Sequence, residues 1–153
     1  MNYIIQLAVA ILATISFSVI FCVPKRDLVL SGFSGGLSWL VYYALTSHHM
    51  SNVFASLIAT MLLTVFARSF AVARHNPVTV YLLTGIFPLV PGAGIYYTAY
   101  YLIQNDADMF ANTGLNTIEV AAAIVLGIIF GFAIPQQLFG FGGRQDVDTH
   151  RKC

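Results

Sequence analysis

The residues best suited to chemistry lie within one apolar stretch that runs from Asn76 to Ile103. Four helix-breaking residues interrupt the middle of this stretch: Pro88, Pro91, Gly92 and Gly94. A helix that restarts after such an interruption has free backbone N–H groups and a positive dipole end, both of which attract carboxylates. We therefore predict a site for a carboxylate-bearing ligand at this break, with Tyr96 and Tyr97 beside it. The alternative is a proline kink that serves only helix packing.

The length of this stretch places the break near the centre of a membrane. Asn76 is a suitable N-cap and Pro77 a suitable first residue, so the first half-helix should run from Pro77 to about Phe87. That half climbs roughly 15 Å, about half of the hydrocarbon core of a bilayer. The second half should start within residues 92–95 and end at Ile103. Irregular backbone at this depth is tolerated only where protein or a water-filled cavity satisfies it.

Two charged residues are further candidates for a functional role. Arg68 ends a polar stripe whose members recur every four residues and so share one helix face: Ser56, Thr60, Thr64 and Arg68. Arg68 either snorkels to the membrane surface or, with Thr64, faces the bundle interior and neutralises an anionic group there. Glu119 is predicted to lie about one turn inside the outer boundary of the last span. It is either a solvated interfacial carboxylate or a proton-coupling acid.

Composition identifies the kind of protein that contains these residues. Hydrophobic residues make up 58% of the 153 and charged residues only 8%, whereas soluble domains are roughly 25% charged. We therefore predict an all-α integral membrane protein surrounded by lipid. Apolar spans consume almost the whole chain and leave no soluble catalytic domain, so we do not expect an enzyme. The sequence has no motif for a metal, a nucleotide or another cofactor, and nothing in it indicates nucleic-acid binding.

Hydropathy predicts about five transmembrane helices within a domain of residues 1–139, and the fourth of them contains the break. Their approximate ranges are 4–23, 28–46, 53–72, 78–103 and 116–134. All seven Lys and Arg residues then fall on one side of the membrane. By the positive-inside rule the N-terminus is outside the cell, and the tail of residues 140–153 is cytoplasmic. The expected location is the plasma membrane.

Small residues predict close contacts between helices. Gly32 and Gly36 in the second span, and Gly127 and Gly131 in the fifth, have the four-residue spacing that lets helix backbones approach each other. A set of five spans with two such faces cannot easily enclose a pathway alone. We therefore expect self-association or a complex with a larger subunit.

One motif resembles the threonine/serine exporter family: the run F-P-L-V-P-G-A-G-I-Y-Y-T at 87–98, together with Ala67-Arg68 and Asn76-Pro77. The chain looks most like the short membrane-only subunit of the split, two-gene form of that family. The resemblance implies a membrane subunit of a secondary exporter of small carboxylate-bearing metabolites, and threonine and serine are the substrates that it favours. Two alternatives stay open, a subunit that exports a dicarboxylate such as succinate and a structural scaffold for a larger, transport-competent partner.

Overall fold

The fold is a bundle of α-helices, seen in a computed structural model that describes residues 3–135. Six helices follow one another: α1 (Tyr3–Ile20), α2 (Leu28–Ser47), α3 (Asn52–Arg74), α4 (Val78–Ile86), α5 (Gly92–Ile103) and α6 (Ala107–Ala133). No β-strand occurs within the described residues. Helices α1, α2, α3 and α6 are each long and apolar enough to cross a membrane. The predicted all-α membrane fold is therefore confirmed.

The fourth predicted span is a bent pair of helices. A 3₁₀ turn at Phe87–Leu89 follows α4, and α5 then continues at an angle of 51°. Val90 is extended, with φ −61° and ψ 130°, because it precedes Pro91. Pro91 has no N–H group to continue the helical hydrogen bonds. If the pair is counted as one span, the chain has five candidate spans, with the break where the sequence predicts it.

The start of α4 differs by one residue from the prediction. The helix begins at Val78, so its N-cap position is Pro77 and not Asn76. The Asn76 side chain makes no capping bond to α4, and its amide nitrogen donates instead to Asp27 across the bundle at 2.7 Å.

The last helix begins earlier than the predicted span 116–134. The carboxylate of Asp106 caps α6 by accepting a hydrogen bond from the N–H of Met109 at 3.1 Å. The helix is continuous from Ala107, so it begins nine residues before the predicted span. The predicted tail, 140–153, lies outside the described residues.

The helices form two packing groups that meet at α3. In the first group, α1, α2 and α4 pack against one another, and α2 and α4 also pack against α3. In the second group, α5 packs against α6, which in turn packs against α3. The two halves of the broken span therefore have different neighbours. The break joins the first group to the second.

Small residues make the close helix contacts, as predicted. Gly32 and Gly36 of α2 lie against isoleucine side chains of α1, and Gly127 and Gly131 of α6 lie against threonines of α3. A Cβ added at Gly131 would lie only 2.5 Å from the Cβ of Thr64. Any larger residue at Gly131 would therefore push α6 away from α3.

Candidate functional site

The first side of the break is firmly packed. The ring of Phe87 stacks on Phe17 of α1 with 4.2 Å between centroids. Leu89 is buried in the core against α3, and Pro88 between them is half-buried. The end of α4 is therefore held by neighbouring helices, and this side of the break offers no open surface for a ligand.

The second side of the break is open. Gly92, the first residue of α5, is exposed, and a Cβ built on it would meet nothing within 4 Å. The N–H of Gly92 donates to the Val90 carbonyl at 2.7 Å. Among the described residues, the N–H groups of Ala93 and Gly94 have no acceptor. These two groups lie at the positive end of α5 and are the donors that a carboxylate needs.

Gly94 has a packing role that Gly92 lacks. A Cβ added at Gly94 would lie 3.3 Å from Cγ2 of Thr117 in α6 and nearer still to its hydroxyl oxygen. One turn later Thr98 lies against Gly114 of α6 in the same helix contact. Gly94 therefore lets α5 approach α6. A substitution at Gly94 would disturb this contact as well as any ligand, so Gly92 is the cleaner probe of binding.

Helix α5 has two different flanks. One flank, called here the tyrosine flank, carries four neighbouring rings: Tyr96, Tyr97, Tyr100 and Tyr101. Tyr96 and Tyr97 meet edge to face with 5.3 Å between their centroids. The other flank is aliphatic and exposed: Ile95, Leu102 and Ile103. Lipid suits the aliphatic flank. On the tyrosine flank the hydroxyl of Tyr100 accepts a hydrogen bond from the Gln104 amide at 3.2 Å, and the other hydroxyl groups need polar partners.

Arg68 is bonded to the end of α6. Its side chain is buried, and Nη1 donates to the carbonyls of Gly131, Phe132 and Ile134 at 2.8, 3.1 and 2.6 Å. The guanidinium also lies over the Phe132 ring, 5.6 Å from its centroid. The last carbonyls of a helix have no intrahelical partners, and a cation there opposes the negative dipole end. Arg68 is therefore a cap for α6 supplied by α3, a contact that neither sequence interpretation anticipated.

The polar stripe of α3 lies against α6. Thr60 and Thr64 are fully buried, and each donates its hydroxyl proton to its own helix, to the carbonyls of Ser56 and Thr60 at 2.7 and 2.8 Å. Thr64 presents its Cβ and methyl group to Gly131. At this seam the stripe meets a packed helix and not a cavity. A role for Thr64 in ligand binding stays a prediction.

Glu119 lies on an exposed part of α6. Its side chain forms no hydrogen bond or ion pair with the described residues. It is about 18 Å along the helix from Ala107, well inside a helix that is long enough to span a membrane. A carboxylate inside the hydrocarbon core would need a partner or a proton. Its role in proton coupling stays a prediction.

One buried acid was missed by sequence reasoning. Asp27, just before α2, is fully buried, and the Nε atoms of Arg26 and Arg74 lie 3.5 and 3.7 Å from its carboxylate. These contacts place the α1–α2 connection and the end of α3 at the same end of the bundle. The available signal was the position of Asp27, a single acid directly after Lys25 and Arg26 and at the N-cap of a predicted span.

The fold and the break define the class of this protein. It is an α-helical membrane protein with one interrupted span, an arrangement in which transporters build binding sites from half-helix ends. The family follows from comparison with known proteins. The family model for the threonine/serine exporter, ThrE, matches residues 6–134, and the chain belongs to this family. This is a family of exporters and not of enzymes.

One relative extends this result. A probable threonine/serine exporter from Mycobacterium tuberculosis is 26% identical to this chain over 129 residues. The match covers 84% of this chain but 24% of the relative, so the chain spans about a quarter of the length of that protein. No solved structure matches the chain. The resemblance seen in the motif around the break is thus confirmed at the level of the family.

Proposed function

We propose that this chain is the membrane subunit of a secondary exporter of threonine and serine, in the split form of the family. The observation that carries the proposal is the open second side of the break, where Gly92 leaves space beside the N–H groups of Ala93 and Gly94. The α-carboxylate of the amino acid binds these N–H groups at the positive end of α5. The membrane potential or a proton gradient drives export, and Glu119 is the candidate coupling acid.

The tyrosine flank supports a ligand that carries an ammonium group. Tyr96 is 64% exposed and Tyr97 50% exposed, and both follow directly after the open end of α5. A cation over such a ring gains about 0.5–2 kcal/mol, with the larger value where water is excluded. A zwitterion is then bound at both ends, by the α5 N–H groups and by the tyrosine rings. The phenol hydroxyls are available to the hydroxyl group of threonine or serine.

A dicarboxylate fits this arrangement less well. Succinate would need a second group that binds an anion, and the guanidinium of Arg68 is already bonded to three carbonyls of α6. Arg26 and Arg74 lie beside Asp27 at the end of the bundle. An amino acid is therefore the favoured substrate, and succinate is the alternative.

A second polypeptide completes the site in this proposal. Helix α5 contains no buried residue, and its tyrosine flank faces outward where lipid offers no hydrogen bonds. The larger subunit of the same exporter covers this flank, and self-association of this chain is the alternative. A relative of which this chain matches only 24% has additional chain that could play the part of the larger subunit.

The positive end of the bundle faces the cytoplasm in this proposal. Arg26 and Arg74 meet at Asp27 at the ends of α2 and α3, and Arg68 caps the last turn of α6. These cations share one end, and the positive-inside rule then places that end in the cytoplasm. In the plasma membrane, the N-terminus then lies on the outer side and the C-terminus on the cytoplasmic side.

A scaffold subunit without its own binding site is the second candidate function. That reading requires the break to serve only packing. The packed ring of Phe87 on the first side suits it, whereas the empty space at Gly92 on the second side does not. The open side therefore favours the exporter over the scaffold.

The test is amino-acid efflux from vesicles that contain this chain with and without its larger subunit. Labelled threonine, serine and succinate are compared in parallel. In the same assay Gly92→Leu should reduce threonine efflux about tenfold or more, because the added side chain occupies the space beside the donors. Ala99→Leu is the matched control, since Ala99 is exposed on the same helix and lies outside the site.

The control should keep efflux within about twofold of the unchanged chain. Unchanged efflux by well-inserted Gly92→Leu protein would mean that the break is only a kink, and the scaffold function would then take precedence. Efflux of succinate but not of threonine would select the dicarboxylate alternative.

A further inference from the structure

A buried polar cluster lies at the positive end of the bundle, away from the open side of the break. The carboxylate of Asp27 has no exposed surface. Its Oδ2 accepts a hydrogen bond from the Asn76 amide at 2.7 Å and lies 3.5 Å from Nε of Arg26. Its Oδ1 lies 3.7 Å from Nε of Arg74. The Asn76 amide also donates to the hydroxyl of Tyr81 at 3.3 Å.

The cluster supplies polar and charged partners to a carboxylate that is buried inside the protein. A buried charge is costly unless cations and hydrogen bonds compensate it. Arg26 and Arg74 supply the positive charge from partly exposed positions, and the Asn76 amide supplies the short hydrogen bond. Asp27 stands at the N-cap of α2, yet its side chain makes no capping bond to that helix. The carboxylate instead accepts its hydrogen bond from Asn76, across the bundle.

The partners of Asp27 are the residues from which the broken span begins. Asn76 lies two residues before α4, and Tyr81, fully buried, lies in its first turns. A second polar contact joins the same two helices nearer the break, where the hydroxyls of Ser31 and Thr84 lie 3.1 Å apart. The N–H of Ser31 in turn bonds to the carbonyl of Asp27 at 2.9 Å. Helix α4 is thus tied to α2 at both of its ends.

We propose that Asp27 is a positioning residue for the export site: through Asn76 it sets where α4 begins, and through α4 it sets the place of the break. This inference rests on the proposed function for its consequence in transport. Its structural part stands independently, because the bond between Asp27 and Asn76 orients the helix whatever the substrate is. A rigid helix of nine residues transmits that placement over about 13 Å to the 3₁₀ turn.

The experiment exchanges the two partners of the short hydrogen bond. Asn76→Asp places two carboxylates against each other, whereas the double variant Asp27→Asn with Asn76→Asp restores one carboxylate and one amide. Ser38→Ala is the matched control, because Ser38 is also a fully buried polar residue of α2 but bonds only to its own helix, at the Ser34 carbonyl. All variants are made in the full chain with its larger subunit.

Two readouts separate positioning from transport. The first is threonine efflux, and the second is the rate at which a thiol reagent labels Val90→Cys, an exposed position within the break, after Cys22 and Cys153 are changed to Ser. Asn76→Asp should lower efflux about tenfold and change the labelling rate several-fold. The double variant should bring both readouts back to within about threefold of the unchanged chain. Ser38→Ala should alter neither.

Recovery of labelling in the double variant supports the positioning role even if threonine proves not to be the substrate. Threonine efflux that persists while Asn76→Asp changes neither readout overturns the positioning role and leaves the proposed function intact. Should Asn76→Asp fail to insert into the membrane, the double variant alone decides. A double variant that inserts and is labelled at the rate of the unchanged chain supports the positioning role, and one that inserts but is labelled at a different rate overturns it.

Discussion

Arg68→Gln should destabilise the protein more than it alters substrate binding. The guanidinium reaches three carbonyls at the end of α6, and all three bonds come from Nη1. One such nitrogen carries two protons, so the contact is worth about two full hydrogen bonds of about 1.5–3 kcal/mol each. Glutamine is shorter, is uncharged and can replace about one of these bonds. The expected loss is therefore about 2–4 kcal/mol of the free energy of unfolding.

A loss of this size is measurable as a shift in the melting temperature. For a chain of this length it corresponds to roughly 5–15 °C. The measurement is thermal unfolding of detergent-purified protein. Unfolding is monitored as the fraction of protein that remains monodisperse in size-exclusion chromatography after heating. Lys25→Gln is the control, because Lys25 is exposed and its side chain forms no ion pair or hydrogen bond with the described residues. Losing such an exposed charge should change the free energy of unfolding by about 0.5 kcal/mol or less.

An Arg68→Gln protein with the same melting temperature as the unchanged chain would refute the stabilising role of Arg68 at the end of α6. If such a protein also showed reduced efflux, Arg68 would be placed at the substrate, as one hypothesis from the sequence has it. Arg68→Lys should give an intermediate melting temperature, because an ammonium group keeps the charge but lacks the planar reach of the guanidinium.

Three further predictions follow from the packing and from the charge distribution. Gly131→Val should reduce the yield of folded protein, because its Cβ would lie 2.5 Å from that of Thr64, whereas Gly92→Ala should express normally; size-exclusion profiles compare them. Tyr96→Leu should raise the KM for threonine efflux by about three- to tenfold while Tyr96→Phe keeps the ring and changes it less. Reporters fused after Cys153 and within residues 104–108 should report opposite sides of the membrane, and a common side would end the five-span topology.

The sequence predicts the helices and the break well because local signals determine both. An uninterrupted apolar stretch can form few structures in lipid, and Pro91 has no N–H group with which to continue a helix, whatever surrounds it. The start of α6 was less predictable. It depends on a capping bond from Asp106, which extends the helix beyond its apolar part.

The candidate site was only partly predictable because its geometry depends on neighbours from distant parts of the chain. Gly92 and Gly94 look equivalent in the sequence, yet one faces open space and the other faces Thr117. The sequence predicts that Arg68 either reaches the membrane surface or faces the bundle interior. Its acceptors are instead carbonyls more than sixty residues away in sequence, because α6 ends beside it. Asp27 carries no local signal of the amide that it binds.

The seam between α3 and α6 also determines where movement between the helices would be small or large. Thr60 and Thr64 donate their hydroxyl protons to carbonyls of α3 itself. Among the described residues, the only hydrogen bonds between α3 and α6 are therefore those of Arg68. Tilting α6 would break no other bond, and Arg68 would act as the fulcrum. The helix is about 40 Å long, so each degree of tilt moves its far end by about 0.7 Å. That far end is the one connected to α5.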